Sequence, residues 1–138
     1  MKIWVNGTFD VLHRGHIELL RYCSGWGEVR VGIDYDKRIK KLKGENRPVN
    51  VFEDRKFLLE SLKYVNSVVG FGNDKELENR IKEWGATTMV IGSDYKDKKI
   101  IGSHLFKNII YFDRVPNYSS TKIIEHEKNT SNRRVMYR

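Results

Sequence analysis

The sequence contains little cysteine and no long apolar run, and both features narrow the class of protein. Its 138 residues include one cysteine, too few for an internal disulfide or a cysteine-rich metal site. No stretch approaches the roughly 20 apolar residues that a membrane helix needs. The opening segment, MKIWVNGTFD, lacks the apolar region of a signal peptide, so we expect a cytoplasmic protein without membrane association.

Two widespread nucleotide-binding motifs are also missing. Neither GxxxxGK[ST] nor GxGxxG occurs in the sequence, which excludes a P-loop kinase and disfavours a dinucleotide-dependent dehydrogenase. The length fits one compact domain. The single cysteine, Cys23, lies at an apolar position of a predicted helix, so we interpret it as a buried packing residue.

Positive charge is present in excess, with a formal net charge of +8. The segment from Lys37 to Arg47 holds six basic residues and one acidic residue, and the segment from Lys122 onward adds three net positive charges. Such local charge suits either a small polyphosphate or a nucleic-acid backbone. Aromatic residues are not interleaved with the basic run, so a nucleic-acid partner is disfavoured.

Five short runs rich in β-branched and aromatic residues alternate with helical patterns along the chain. The runs cover residues 2–6, 28–34, 66–71, 87–92 and 108–113. This alternation predicts the α/β class, as a single-domain, Rossmann-like doubly wound parallel sheet of about five strands. Ligands of such sheets lie beyond the carboxyl ends of the strands, which selects the loops that start at Asn6, Ile33, Gly70, Gly92 and Asp113.

Two helical segments have apolar residues at the spacing of one helix face, which predicts that these residues pack in the core. They are Leu58, Leu62 and Val65 in the first segment, and Leu77, Ile81 and Trp84 in the second. The last dozen residues show no such pattern. We therefore expect a domain over residues 1–126 and a loose basic tail over 127–138.

The stretch GTFDVLHRGH, residues 7–16, places two histidines where a strand leads into a helix. Gly7 turns the chain after the first strand, and the helix should begin close to His13 or Gly15. Backbone N–H groups and the helix dipole favour an anion there, and Gly15 lets a phosphate approach the backbone. The pair could also be metal ligands or structural histidines. A metal site needs further ligands, whereas the other histidines are His104 and His126, so we favour phosphate contact.

These ten residues resemble the GxFDxxHxGH signature of the cytidylyltransferase-like nucleotidyltransferases. The resemblance continues along the chain. The segments KKLKGENRPVNVFEDR (40–55), VIGSDYK (90–96) and GSH (102–104) are similar to the heptose 1-phosphate adenylyltransferase domain of ADP-heptose synthase. YSSTKII (118–124) resembles the late ISTTKI motif, with Tyr118 and Ser120 as departures. Glycerol-3-phosphate cytidylyltransferase shares the first and last motifs but not the KGxxRPVN loop.

The resemblance implies an enzyme that transfers a nucleoside monophosphate from a nucleoside triphosphate, with ATP favoured, to a sugar phosphate such as heptose 1-phosphate. Pyrophosphate is the second product. Mg²⁺ would enter with the nucleotide, and we name no protein side chain as its ligand. The alternatives are a CTP:glycerol-3-phosphate cytidylyltransferase and a non-catalytic nucleotide- or RNA-binding module. The resemblance also implies a homodimer, because such domains often form dimers.

The expected site residues fall into three groups. We predict a catalytic role for His13, His16 and Lys43. The nucleotide-binding residues would be Gly7, Thr8, Phe9, Gly15, Lys41, Gly92, Asp94, Ser119, Ser120 and Thr121. The substrate phosphate would be bound by Asp10, Arg47 and Arg55. The alternatives are a turn role for Asp10, surface ion pairs for both arginines, and helix capping for Asp94 and for residues 119–121.

Overall fold

Five strands form one parallel sheet in the computed structural model, which describes residues 1–113. The strands are β1 (Lys2–Gly7), β2 (Glu28–Asp34), β3 (Ser67–Phe71), β4 (Thr88–Gly92) and β5 (Asn108–Phe112). Their order across the sheet is β3-β2-β1-β4-β5, and every pair of neighbours is parallel. The α/β class and the doubly wound sheet predicted from the sequence are confirmed.

Four helices connect the strands. They are α1 (Arg14–Ser24), α2 (Asp36–Lys43), α3 (Phe52–Glu60) and α4 (Asp74–Trp84). Two short 3-10 helices, Ser93–Tyr95 and Ser103–Leu105, lie between β4 and β5. Within residues 1–113, none of the helices has the length and apolar character needed to cross a membrane.

Alternation of side chains along β1 divides the core into two layers. Ile3 and Val5 point to the face that α1 and α3 cover, where they pack with Leu20 and Leu59. Trp4 points to the opposite face and joins the cluster built on α4. This is the two-residue period of a strand buried on both faces.

The single cysteine lies in the first of these layers. Cys23 is buried on α1, and burial raises the pKa of its thiol to about 12. The thiol is therefore protonated at neutral pH and chemically inert. The interpretation of Cys23 as a packing residue is confirmed.

The two predicted apolar helix faces have different outcomes. Leu77, Ile81 and Trp84 are buried on α4, as expected. The prediction for Leu58 is wrong, since this side chain is 42% exposed. Val65 is buried and Leu62 packs against the same core cluster, as expected. Leu58 is exposed because α3 buries Arg55 and Leu59 instead. The helix ends at Glu60, so Leu62 and Val65 lie beyond it. Without a continuous helix their spacing does not define one face.

The β1–β4 boundary is the point where the direction of strand order reverses. The chain moves outward through β1, β2 and β3, then crosses back to β4 and continues to β5. β1 pairs with β2 from Lys2 to Gly7 but with β4 only at Ile3 and Trp4. The two strands therefore separate toward their carboxyl ends, which creates the crevice where open α/β sheets bind ligands.

Candidate active site

A cavity of about 450 Å³ opens at the carboxyl ends of β1 and β4. It brings together most of the residues that the sequence predicts for the nucleotide and the chemistry. Those that line it are Gly7, Thr8, Phe9, His13, Gly15, His16, Lys43, Gly92 and Asp94. The loop after β1, the first turn of α1, the end of α2 and the loop after β4 thus share one site.

The two histidines cap helix α1. His13 is the N-cap residue, and its Nδ1 accepts a hydrogen bond from the Gly15 backbone N–H at 3.0 Å. The Nδ1 of His16 accepts from the His13 backbone N–H at 3.3 Å. This reciprocal arrangement is a capping box, with histidine in the place usually held by Ser or Thr and by Glu or Gln. Helix geometry therefore fixes where both rings lie.

The cap also fixes which ring nitrogen carries the proton. A nitrogen that accepts a hydrogen bond is unprotonated, so in each neutral ring the proton is on Nε2. The Nε2 atoms of His13 and His16 are then hydrogen-bond donors. The rings stack with their centroids 3.8 Å apart. Two Nε2 donors suit a phosphate, whose oxygens accept hydrogen bonds.

The loop after β1 is shaped by Phe9 and by a buried carboxylate. Phe9 has a φ of 47°, a left-handed conformation that is uncommon outside glycine. Its ring packs against His16, with 4.9 Å between centroids. Next to it, Asp10 is fully buried and accepts from the backbone N–H groups of Val49 and Asn50. The turn that carries the histidines is thereby attached to the segment that follows α2.

Asp10 does not face the cavity, so its place in the structure matches the turn alternative rather than contact with a substrate phosphate. Its Oδ2 also accepts from Arg47 Nε at 2.8 Å. Burial alone would raise the pKa of Asp10, but the hydrogen bonds from Asn50, Val49 and Arg47 outweigh it and hold the pKa below its usual value. The carboxylate is therefore ionised at neutral pH and serves as a structural anchor.

Arg55 is placed away from the site that the sequence suggested for it. Its side chain is fully buried, and its three nitrogens donate to Asn50 O, Thr8 O and Asp36 Oδ1 at 2.9, 3.0 and 2.7 Å. All three guanidinium nitrogens therefore donate hydrogen bonds within the protein. The ion-pair alternative describes this arrangement better than a phosphate anchor, although only Asp36 reaches the surface and Arg55 itself is buried.

Arg47 is also buried, but within residues 1–113 not all of its guanidinium nitrogens have a hydrogen-bond partner. Its Nε is bound to Asp10, whereas its Nη2 is buried and has no hydrogen-bond partner within the described part of the chain. Buried donors are nearly always paired. Arg47 does not line the cavity, so its contribution to the site, as the structure has it, is the ion pair that holds Asp10.

Of the two predicted lysines, Lys43 lines the cavity and Lys41 lies on the exposed surface of α2 outside it. Burial lowers the pKa of Lys43, and repulsion from Arg47 lowers it further, while Asp34 and Asp10 act in the opposite direction. An anion bound at Lys43 would offset that repulsion. Gly44, directly after Lys43, has a φ of 99° with open space around it, which suits a hinge.

At the other side of the crevice, Gly92 and Asp94 form a compact turn after β4. A Cβ on Gly92 would lie 2.6 Å from Asp94 Oδ1, so the glycine makes room for the carboxylate. Asp94 is the middle residue of the first 3-10 helix, and Gly92 is its N-cap. The predicted N-cap alternative for Asp94 is therefore wrong, and its carboxylate is part of the cavity wall.

Several cavity residues were not predicted from the sequence, namely Asp34, Arg38 and Lys99. Asp34 follows Ile33, at a strand end that the sequence analysis selected as a place for a ligand. Asp34 itself is not part of a recognised motif. Among residues 1–113, no three side chains of the types His, Cys, Asp and Glu converge to hold a metal ion. The predicted residues Ser119, Ser120 and Thr121, and the tail 127–138, lie outside the described residues.

Comparisons with known proteins agree with this geometry. Two relatives, both named Bifunctional protein HldE, are 40% identical to the chain: that of Campylobacter fetus over 91% of it and that of Helicobacter pylori over 94%. The chain spans only 28% of the length of either relative. A lipopolysaccharide core biosynthesis protein from Thermoplasma volcanium shares the fold, with a TM-score of 0.67 over 83% of this chain and 98% of its own. Its sequence identity of 22% supports the fold alone.

A family model described as cytidylyltransferase-like matches residues 4–126. The match includes the strand that leads to the crevice, the capped histidines, the lysine-bearing helix and the turn at Asp94. The resemblance predicted from the motifs is confirmed at the level of the family. The chain is an enzyme of the cytidylyltransferase-like family of nucleotidyltransferases.

Proposed function

We propose that the chain transfers the adenylyl group of ATP to a sugar phosphate, with heptose 1-phosphate as the expected acceptor. The observation that carries the proposal is the placement of two capped histidines opposite Lys43 in one crevice at the β1–β4 switch point. The preference for ATP and a heptose rests on the resemblance of the KGENRPVN loop to that of heptose 1-phosphate adenylyltransferases.

The reaction is a displacement at phosphorus. An oxygen of the acceptor phosphate attacks the α-phosphorus of ATP, and a new P–O bond forms as the bond to the bridging oxygen of the β-phosphate breaks. Pyrophosphate leaves with that electron pair. The attacking phosphate is already ionised, so no general base is required. The protein must align the two phosphates and stabilise the charge that moves onto the pyrophosphate.

The residues of the cavity meet these requirements. The Nε2 donors of His13 and His16 would bind phosphate oxygens of the triphosphate, and Lys43 would close over them from the end of α2. Arg47 lies behind the cavity wall rather than in it, and its charge, which acts on Lys43, would add to the positive potential that attracts the triphosphate. Asp94 would accept from a ribose hydroxyl or hold the metal that accompanies the nucleotide.

Mg²⁺ fits the residues present, because this ion is usually held by one or two carboxylates, water and the phosphates of the substrate. Asp94 is the carboxylate of the nucleotide side that could contribute to it. When bound, Mg²⁺ would neutralise charge on the triphosphate. The protein's own part is to position the phosphates by the histidines and Lys43.

The test is pyrophosphate release with four substrate pairs, ATP or CTP combined with heptose 1-phosphate or glycerol 3-phosphate. We expect the highest kcat/KM with ATP and heptose 1-phosphate, and loss of turnover in the presence of a chelator. A preference for CTP and glycerol 3-phosphate would assign the chain to the cytidylyltransferases instead. If no pair gave turnover, and His16→Ala left ATP affinity unchanged, the proposal would be wrong.

A further inference from the structure

Asp34 is a buried carboxylate in the wall of the cavity, and the proposed reaction gives it no role so far. It is the last residue of β2, is 7% exposed and lines the cavity together with Arg38 and Lys43. Most other charged or hydrogen-bonding side chains there suit anions. A carboxylate at this position repels phosphate, so its presence needs another explanation.

Arg38 neutralises Asp34 only in part. Its Nε donates to Asp34 Oδ2 at 2.9 Å, and its Nη2 donates to Asp74 Oδ1, also at 2.9 Å. One positive charge is thus shared between two carboxylates, so these three side chains carry a net negative charge, with Arg55 and Lys43 as further cations that interact with Asp34. Burial raises the pKa of Asp34, against the effect of Arg38. Keeping this carboxylate in the wall therefore has an energetic cost.

The sheet order shows which part of a substrate would reach Asp34. Asp94 follows β4 and Asp34 ends β2, so the two carboxylates lie on opposite sides of β1, whose loop carries the histidines. In an in-line transfer the nucleoside lies on one side of the reacting phosphorus and the acceptor on the other. With the nucleoside toward Asp94, the carbon skeleton of the acceptor lies toward Asp34.

A carboxylate accepts hydrogen bonds and donates none, so it recognises hydroxyl groups and rejects phosphate oxygens. We infer that Asp34 is a specificity-determining residue for the acceptor, which binds hydroxyl groups of its sugar or polyol part while the phosphate is directed toward the histidines and Lys43. This inference rests on the proposed function and deepens it. It predicts selectivity for a polyhydroxylated acceptor over an analogue that lacks hydroxyls at that end.

The experiment measures steady-state kinetics of Asp34→Asn and of the wild type, with the best acceptor of the substrate panel and with its deoxy analogues. We expect Asp34→Asn to raise the KM for the acceptor about tenfold or more, because a buried hydrogen bond to a charged group is lost. The KM for the triphosphate should stay within about twofold. One deoxy analogue should be discriminated by the wild type and not by the variant.

Asp74→Asn is the matched control. Asp74 binds the other arm of Arg38, but its side chain is 59% exposed and it is not part of the cavity wall. If Asp34 acts on the acceptor directly, Asp74→Asn leaves the acceptor KM unchanged. If both variants raise this KM equally, Asp34 acts only through Arg38 and the inference is wrong. A melting temperature for each variant separates loss of binding from loss of folding.

Two further outcomes would overturn the inference. The first is a rise in the KM for the triphosphate, or in the Mg²⁺ requirement, with an unchanged acceptor KM, since Asp34 would then serve the nucleotide. The second is wild-type kinetics in Asp34→Asn, which would reject the role of Asp34 while the proposed function stands. Absence of turnover by the wild type with every pair would instead reject the proposed function, and this inference with it.

Discussion

The cavity has two walls whose side chains can donate hydrogen bonds to a phosphate. The two walls differ in how these side chains are held in place. The histidine wall, His13 and His16, is fixed by backbone hydrogen bonds of the helix that it caps. The lysine wall ends in Lys43, at the last turn of α2, and Gly44 follows with open space around it. The first wall has its donors aimed before substrate arrives, which favours transition-state stabilisation. The second is suited to move, which favours closure over a bound triphosphate.

The segment after Gly44 limits how far that movement extends. Arg47, Val49 and Asn50 are all bound to the buried carboxylate of Asp10. The chain therefore changes from an open hinge to an anchored loop within a few residues. We therefore expect Lys43 to move while the anchored loop next to the histidines keeps its position.

The largest expected effect comes from removing the anchor. Asp10→Asn would leave Arg47 without its charge partner in a buried position, and we expect the free energy of unfolding to fall by about 3–5 kcal/mol. Denaturation in urea measures this loss. Glu18→Gln is the control, because it breaks only partly exposed pairs with Arg14 and Arg21 and should cost about 0–1 kcal/mol. Equal losses in the two variants would contradict the anchoring role.

The same anchor has a predicted pH dependence. Because the pKa of Asp10 is lowered in the folded protein, its stabilisation is complete above the ordinary aspartate pKa and is lost as the pH falls through the folded value. The wild type should therefore lose stability in acid more steeply than Asp10→Asn does. Urea titrations repeated from neutral pH into the acid range would show the difference.

The next largest effect tests the histidine wall. His13→Ser and His16→Gln keep residues that can form the helix cap but remove the Nε2 donors. We expect kcat/KM to fall about 10²–10³-fold in each, the range for loss of one charge-stabilising donor, with little change in melting temperature. His13→Ala should lose the cap as well, about 1 kcal/mol of stability. Normal activity in His16→Gln would show that the histidines serve only the helix.

The smallest effect concerns the lysine wall. Lys43→Met keeps the apolar stem and removes the charge, and we expect kcat/KM to fall about 10–100-fold because a mobile cation contributes less than a fixed donor. Lys40→Met, on the same helix but outside the cavity, is the matched control. A Lys43→Met effect as large as that of His16→Gln would show that Lys43 is already aligned before substrate binds.

Much of the fold was predictable because strand pattern and burial coincide. The continuous apolar run of Ile3, Trp4 and Val5 already indicates a strand buried on both faces, and the strand bounds match the predicted runs to within one residue. Leu58 shows where this reasoning fails. Its spacing with Leu62 and Val65 resembles a helix face, but the sequence does not reveal that α3 ends at Glu60.

The site was predictable where a motif sets local backbone geometry, as for His13, Gly15 and His16. It was not predictable where a role depends on distant partners. Arg47 and Arg55 look alike in the sequence, yet each nitrogen of Arg55 donates to the protein, whereas Arg47 Nη2 has no partner among residues 1–113. The neighbours of Asp34 likewise come together only in the folded chain, when β2 lies beside β1 and α2 folds back over the end of β2.

The buried guanidinium of Arg55 connects parts of the chain that are far apart in sequence. Its hydrogen bonds to Thr8, Asp36 and Asn50 span 47, 19 and 5 residues. Closing the long loops costs entropy before the bonds can form, and opening any one of them leaves a buried charge short of partners. We therefore expect the loop that carries the histidines to form and melt together with the sheet, as one cooperative unit.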